Sequence, residues 1–184
     1  MSDQQEIIAE VQRWIEKAVI GLELCPFARS VYEQRQIRYS ISHSEQIDEL
    51  MFDLHQEILC LQQSPDIDTG LLIIPFQLDE FSDFNQMLDQ ADALMNGYHW
   101  SGEFQLASFH PLYQFSGTQL EDRENWSNRS PYPILHILRE ASVEQAVSRY
   151  PGVSGIPARN IEKLGLLEDD EFNQIFKTPN RKEL

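Results

Sequence analysis

The stretch Leu71-Leu72-Ile73-Ile74 is short, wholly apolar and preceded by the turn signal Ser64-Pro65-Asp66. A strand with one face in water alternates apolar and polar residues, whereas a strand covered on both faces is apolar throughout. The run therefore predicts a central strand buried on both sides, and we expect the fold to be built around it.

Helix and strand patterns alternate on both sides of this central strand. Apolar residues recur at helical spacing in segments that predict helices at residues 4–22, 26–34, 45–61, 83–95, 143–149 and 158–164. Three of these helices follow a serine suited to cap them, namely Ser44, Ser82 and Ser142. Further strands are predicted at residues 37–42, 104–109 and 133–139. The order indicates an α+β fold, a mixed sheet of about four strands with packed helices. A ferredoxin-like or related sandwich is the first choice, and a thioredoxin-like order is the alternative.

The length of 184 residues fits one domain, and 41% hydrophobic residues suffice for one substantial core. We expect a single α+β domain over residues 1–165 and an acidic C-terminal tail over residues 166–184. No apolar stretch approaches the length of a membrane span, and residues 1–10 lack the features of a secretory signal. The two cysteines, Cys25 and Cys60, are too few for a disulfide framework. These features predict a cytoplasmic protein with reduced thiols, in which Cys60 belongs to the core.

The chain is strongly acidic, with a formal net charge of -16 at pH 7. Nucleic-acid phosphates and anionic membrane surfaces both favour clustered lysine and arginine. We therefore expect the protein to bind neither nucleic acid nor membrane, and the simplest role of the charge is solubility.

The stretch from Phe109 to Glu140 differs from the rest of the chain, because it is rich in arginine, aromatic and loop-forming residues. Residues 1–100 carry five basic and 18 acidic side chains, whereas residues 101–160 carry five and six, and all five basic residues there are arginines. Arginine offers a planar fork of donors that suits carboxylate or phosphate. The stretch is therefore the predicted location of a pocket for a small anion. The alternative is that these arginines pair with nearby glutamates for structure.

Several runs of sequence resemble the signatures of a known family. They are Gly21-Leu22-Glu23-Leu24-Cys25-Pro26-Phe27-Ala28, Phe104-Gln105-Leu106-Ala107-Ser108-Phe109-His110-Pro111, Asn128-Arg129-Ser130-Pro131-Tyr132-Pro133 and Leu135-His136-Ile137-Leu138-Arg139-Glu140-Ala141-Ser142. With these runs the chain resembles the bacterial domain-of-unknown-function 1415 family over nearly its whole length. The resemblance implies a self-contained domain of about this size, and it brings no activity, cofactor or catalytic residue with it.

His110 is the strongest candidate for a catalytic residue. It stands at the end of a predicted strand, before Pro111 and a long loop, where α/β folds place functional groups. An imidazole at such a position could serve as a general acid or base. The alternative is a histidine that fixes the loop through hydrogen bonds.

Candidate substrate-binding residues lie on the loop after His110 and beyond it. Arg129 leads into Pro131-Tyr132-Pro133, and a stiff loop with many donors suits an oxyanion. Further donors that could reach the same anion are those of Asn128, Arg123, Arg139 and Arg159, the last at a predicted helix start. Each has a structural alternative, such as capping a turn or a helix end.

Cys25 is the second candidate for catalysis. It directly precedes Pro26 at a predicted helix start, where the helix dipole would stabilise a thiolate and lower the thiol pKa. The alternative is a small buried residue in the corner between two helices.

The remaining titratable motifs point away from metal or cofactor chemistry. His136 is expected to be a hydrogen-bonded core histidine. The five histidines show no spacing typical of metal sites, and neither a phosphate loop nor a dinucleotide-binding motif is present. We therefore expect neither a metal nor a cofactor.

Three hypotheses about function follow. The first is a small cytosolic enzyme acting on a carboxylated or phosphorylated small molecule, with His110 as acid or base, arginines that hold the anion, and Cys25 as an optional nucleophile. The second is a non-enzymatic binding or regulatory protein that self-associates or binds a protein partner. Its contact surface of aromatic and arginine side chains would include Phe109, Tyr113, Phe115, Trp126 and Tyr132. The third is a structural loop without a ligand.

Overall fold

The computed structural model describes residues 3–150 and 152–176. Its helices in chain order are α1 (Asp3–Trp14), which continues as a π-helical turn (Ile15–Ile20), α2 (Ala28–Glu33), α3 (Ile47–Gln62), α4 (Phe81–Gly97), α5 (Glu140–Arg149), α6 (Ile156–Leu166) and α7 (Asp169–Phe176). Its strands are β1 (Ile37–Ile41), β2 (Thr69–Ile73), β3 (Phe104–Phe109) and β4 (Ile134–Arg139). Short 3-10 turns lie at Arg123–Ser127 and Val153–Gly155. None of the helices in these two ranges combines the length and the apolar character that a membrane crossing requires.

Strand β2 lies in the interior of the sheet, as its apolar sequence predicts. The strand order is β1-β2-β4-β3, with β1 and β2 parallel and the other neighbours antiparallel. All five residues of β2 are buried. The predicted α+β class with a mixed four-stranded sheet is confirmed. Along the chain the order is β-α-β-α-β-β, whereas a ferredoxin-like fold has β-α-β-β-α-β, so the protein has a related arrangement with its own strand order.

The sheet carries a separate apolar core on each face. On one side, here the α3–α4 face, Leu72 and Leu135 pack against helices α3 and α4. On the other side, here the α1–α7 face, Leu71 and Ile134 pack against α1, α6 and α7. Successive side chains of a strand point to opposite faces, so β2 supplies both cores and must be apolar throughout.

The helix starts predicted from serine caps are wrong in all three cases. Helix α3 begins after Gln46 rather than Ser44, while α4 and α5 begin before Ser82 and Ser142. Two of these hydroxyls make other contacts instead, since the Ser44 oxygen accepts a hydrogen bond from Gln77 Nε2 at 2.8 Å and the Ser142 hydroxyl donates to Asp68. A cap motif read from sequence does not show such competing tertiary partners.

Part of the predicted acidic tail is folded. Helix α7 places its acidic residues in the first turn, where the helix dipole favours them. Its last residue, Phe176, is 8% exposed and packs with its ring 5.0 Å from that of Trp126. Residues 177–184 of the predicted tail lie outside the described residues.

The π-helical turn after α1 ends at Gly21. The Gly21 N–H donates to the Glu16 carbonyl at 2.9 Å, an i to i−5 bond that defines this type of turn. A Cβ added at Gly21 would lie 2.2 Å from the Lys17 carbonyl oxygen. The turn therefore requires glycine at this position.

His136 is a hydrogen-bonded histidine of strand β4, as predicted. The Thr69 hydroxyl donates to the Ile137 carbonyl at 2.6 Å, so its oxygen accepts from His136 Nε2 at 2.7 Å. The ring centroid lies 6.0 Å from that of Phe109. Burial lowers the pKa of His136 to about 4, because the imidazolium form would lose its hydration.

Acidification is expected to destabilise the protein through His136. The unfolded histidine titrates near pH 6.5, so below that pH the unfolded state binds more protons than the folded state. The contribution of neutral His136 to the free energy of unfolding is fully present above pH 6.5 and is lost as the pH falls toward 4. At pH 4.5 the loss amounts to about 2–3 kcal/mol. Urea unfolding at pH 7.5 and pH 4.5 should show a smaller loss in His136→Gln than in the wild type. His43→Gln, at an exposed histidine, should behave like the wild type, and equal losses in all three proteins would contradict the assignment.

Candidate functional site

A cleft of about 70 Å³ opens on the α1–α7 face, where α1 and α7 meet the loop between β3 and β4. We call it the arginine cleft. It is lined by Glu10, Arg13 and Trp14 of α1, by Pro111, Trp126, Arg129, Ser130 and Pro131 of the loop, and by Ile175 and Phe176 of α7. Its walls thus combine aromatic and aliphatic side chains with charged groups from distant parts of the chain.

Arg129 is the buried cation of the arginine cleft. It is 7% exposed, and its guanidinium lies 4.7 Å from the centre of the Trp126 ring. Nε donates to the Tyr113 carbonyl at 3.1 Å and Nη2 to the Leu120 carbonyl at 2.7 Å. Burial lowers the pKa of Arg129, and the nearby Glu121 carboxylate partly offsets this. Nη1 has no hydrogen-bond partner among the described residues, so one edge of the guanidinium is available to a ligand.

Arg13 and Glu10 bring opposite charges to the same cleft from α1. Arg13 is exposed, and in the described ranges it makes neither a hydrogen bond nor an ion pair. Glu10 is half-buried, and its Oε2 accepts a hydrogen bond from the Tyr132 hydroxyl at 2.6 Å. The Ser130 hydroxyl donates to the Tyr132 carbonyl, which leaves its oxygen as an acceptor. The arginine cleft therefore presents both donors and acceptors.

Glu10 and Arg13 were not among the residues predicted from sequence. They lie three residues apart on an amphipathic helix, which places them on one face beside Trp14. Polar residues at such positions are usually solvated. The sequence offers one indication, an arginine beside the apolar Trp14. It points to a site only when the loop between β3 and β4 is known to pack against this face of α1.

A family model described as protein of unknown function (DUF1415) matches residues 6–174. The chain belongs to this family. The resemblance noted from the signature runs is thereby confirmed, and the match includes every charged residue of the arginine cleft. Neither the curated proteins nor the solved structures contain a match to the chain.

Arg123 and Asn128, also predicted to bind substrate, stabilise the surrounding structure of this DUF1415 protein. Arg123 donates to the Leu164 and Leu167 carbonyls and pairs with Asp169, which fixes the junction between α6 and α7. Asn128 accepts a hydrogen bond from Ser127 at 3.2 Å and, through its carbonyl, from the His110 amide at 3.2 Å. Neither side chain lines the arginine cleft.

The loop between β3 and β4 is organised by Asn125. Asn125 is completely buried. Its Oδ1 accepts from the Phe115 amide and from the Thr118 hydroxyl, each at 2.9 Å, and its Nδ2 donates to the Gln119 carbonyl at 2.7 Å. Much of the predicted donor density of this loop therefore serves the loop itself.

His110 lies away from the arginine cleft and is completely buried. Its Nδ1 accepts from the Leu112 amide at 3.0 Å, and its Nε2 donates to the Leu78 carbonyl at 2.9 Å. The ring packs between Phe81 and Phe84, with centroid distances of 5.4 and 5.1 Å. These contacts fit the alternative interpretation, in which His110 fixes the loop, and its role in catalysis stays a prediction.

Arg139 does not reach the predicted pocket, because it lies on the opposite, α3–α4 face of the sheet. Its guanidinium donates to the carbonyls of Leu61, Ser64 and Ile67 at and beyond the end of α3. It also lies 5.3 Å from the centre of the Phe104 ring. Arg139 therefore satisfies carbonyls that the end of a helix leaves unpaired.

Cys25 and Arg159 lie on neighbouring segments, outside the arginine cleft. Asn160 Nδ2 donates to the Leu24 carbonyl at 2.8 Å, which joins α6 to the residues before Cys25. The Arg159 Nη1 donates to the Tyr150 hydroxyl, while its Nε and Nη2 are buried without a partner among the described residues. The predicted lowering of the Cys25 pKa is wrong. The amides of Phe27 and Ala28 do favour the thiolate, but burial has the larger effect and raises the pKa of the thiol.

The five aromatic residues proposed as a partner surface do not form an exposed patch. All five are partly buried. Phe109 packs edge-on against Trp14 at 5.1 Å, and Tyr113 packs against both Phe81 and Phe115. A surface for self-association or for a protein partner stays a prediction, and these five side chains do not mark its position.

Proposed function

We propose that the protein binds a small carboxylated or phosphorylated molecule in the arginine cleft. The observation that carries this proposal is Arg129, a residue that is 7% exposed and whose guanidinium has no carboxylate within ion-pair distance among the described residues. A buried charge is costly unless it is paired. A ligand carboxylate or phosphate would supply the pair through a charge-assisted hydrogen bond to Nη1, with Arg13 as a second donor.

The arginine cleft supports anion binding better than it supports catalysis by His110 or Cys25. A general acid or base must come within hydrogen-bond reach of the reacting group. Among the described residues that line the arginine cleft there is neither histidine nor cysteine, and both ring nitrogens of His110 already bond to backbone groups. The anion-binding part of the sequence-based hypothesis is therefore retained, and the roles of His110 and Cys25 in catalysis stay predictions.

We further propose that the protein works in the cytoplasm and binds neither nucleic acid nor membrane. Both cysteines are unpaired, a state that reducing compartments maintain. The net charge of -16 opposes binding to polyanions.

Intrinsic fluorescence provides a direct test of the proposal. Trp14 and Trp126 line the arginine cleft, whereas Trp100 lies in the core of the α3–α4 face. We expect a saturable change when acetate, glycine or inorganic phosphate is added at constant ionic strength. Arg13→Met should weaken the binding by about tenfold or more, because a hydrogen bond to a charged group is lost.

Lys17→Met is the matched control, since Lys17 is an exposed cation of the neighbouring turn that does not line the cleft. It should bind like the wild type. The proposal fails if none of the three probes gives a saturable response, or if the Lys17 variant loses as much affinity as the Arg13 variant.

A further inference from the structure

Charges of opposite sign line the arginine cleft without neutralising one another. Arg13 and Arg129 carry positive charge, and Glu10 carries negative charge. Within the described residues, Glu10 forms no ion pair with either arginine. A site that serves only to hold an anion has no use for a carboxylate, because like charges repel.

The hydrogen-bonding groups of the cleft fall into two sets. The donors are Arg129 Nη1 and the Arg13 guanidinium, neither of which has a protein acceptor in the described part of the chain. The acceptors are Glu10 Oε1 and the Ser130 oxygen, since Tyr132 occupies only Oε2 of Glu10 and Ser130 gives its proton to the Tyr132 carbonyl. A ligand that satisfies both sets must carry acceptors and donors close together, and an anionic and a cationic group match the charges of Arg129, Arg13 and Glu10 best.

The size of the cleft limits how far apart these two groups can be. A volume of about 70 Å³ corresponds to about two water molecules at the roughly 30 Å³ that each occupies in the liquid. That leaves room for two small polar groups, such as a carboxylate and an ammonium group joined by one carbon atom. Any larger remainder of the ligand must extend out of the cleft.

We propose that the arginine cleft takes the zwitterionic head group of an α-amino acid, an inference that rests on the proposed binding function. The ligand carboxylate accepts hydrogen bonds from Arg129 Nη1 and Arg13. The ligand ammonium donates to Glu10 Oε1 and to the Ser130 oxygen. A phosphate dianion meets the Glu10 carboxylate instead and is disfavoured, and a simple carboxylate leaves Glu10 unpaired.

The ligand comparison needs no variant. Wild-type protein is titrated with glycine, acetate and methylamine at constant ionic strength, and tryptophan fluorescence is recorded. We expect glycine to bind at least about tenfold more tightly than either acetate or methylamine, because only glycine pairs with both sets of groups. Acetate binding as tightly as glycine would overturn the amino-acid inference and leave the proposed anion-binding function intact. Failure of glycine, acetate and inorganic phosphate alike would remove both.

Glu10→Gln isolates the role of the carboxylate. The glutamine oxygen still accepts the Tyr132 hydrogen bond, so the packing of the cleft is retained. We expect glycine to bind about tenfold more weakly to this variant, and acetate and inorganic phosphate to bind equally well or more tightly. Equal weakening of glycine and acetate would show that Glu10 supports the structure of the cleft rather than an ammonium group, and the inference would then be wrong.

Discussion

Replacement of His110 by alanine is expected to destabilise the protein by about 3–5 kcal/mol, as truncation of a fully buried aromatic side chain does. The ring is completely buried against Phe81 and Phe84. Its removal also leaves the Leu112 amide and the Leu78 carbonyl without their partner, and an unpaired buried polar group adds to the cost. Urea unfolding measures the loss of free energy.

The binding measurement separates this structural role from a direct role at the ligand site. Folded His110→Ala protein should bind glycine with nearly wild-type affinity, because His110 does not line the arginine cleft. His43→Ala, which removes an exposed imidazole, is the control for stability and should cost little. A stable His110→Ala variant that had lost ligand binding would show that His110 acts at the ligand site and not only in fixing the loop.

Replacement of Gly21 by alanine is expected to cost about 3 kcal/mol, the upper range for overpacking. The added Cβ would lie 2.2 Å from the Lys17 carbonyl oxygen. That atom belongs to the backbone of the π-helical turn, so it cannot rotate away as the end of a side chain would. The clash can be relieved only if the backbone of the π-helical turn shifts. This turn follows α1, which carries Glu10 and Arg13 of the arginine cleft.

Gly165→Ala is the matched control, because Gly165 lies in α6 with open space around its Cβ position. Alanine is favoured over glycine in a helix, so this variant should gain about 0.5–1 kcal/mol. Thermal or urea unfolding of the two variants should therefore shift in opposite directions. A Gly21→Ala protein as stable as the wild type would mean that the π-helical turn relaxes without cost.

The central strand could be predicted from sequence because a continuous apolar run leaves no polar face for water. The strand order could not. The pairing of Leu71 with His136 depends on how helices from both halves of the chain cover the two faces, and no spacing within either strand encodes it. The helix starts failed for a similar reason, because the hydroxyls of Ser44 and Ser142 bond to tertiary partners rather than to a helix end.

The site could be predicted only in part. Arg129 stood out because it lies in a segment whose basic residues are all arginines, and it does line the cleft. Arg139 has the same chemistry, but three carbonyls at and beyond the end of α3 use its donors, and only the folded structure shows that they lie within reach. Glu10 and Arg13 are far from Arg129 along the chain, and a polar pair on a helix surface gives no hint of the loop that docks on it.

The arginine cleft takes its walls from α1, from the loop between β3 and β4, and from α7. A ribosome makes these parts in that order, and domains form as their segments emerge. A chain that stopped within α6 would contain every residue of the sheet and every charged group of the cleft, and would still lack the wall formed by Ile175 and Phe176. The cleft is thus completed last during synthesis, so a product truncated within α6 should lack the ligand binding that we expect of the complete cleft.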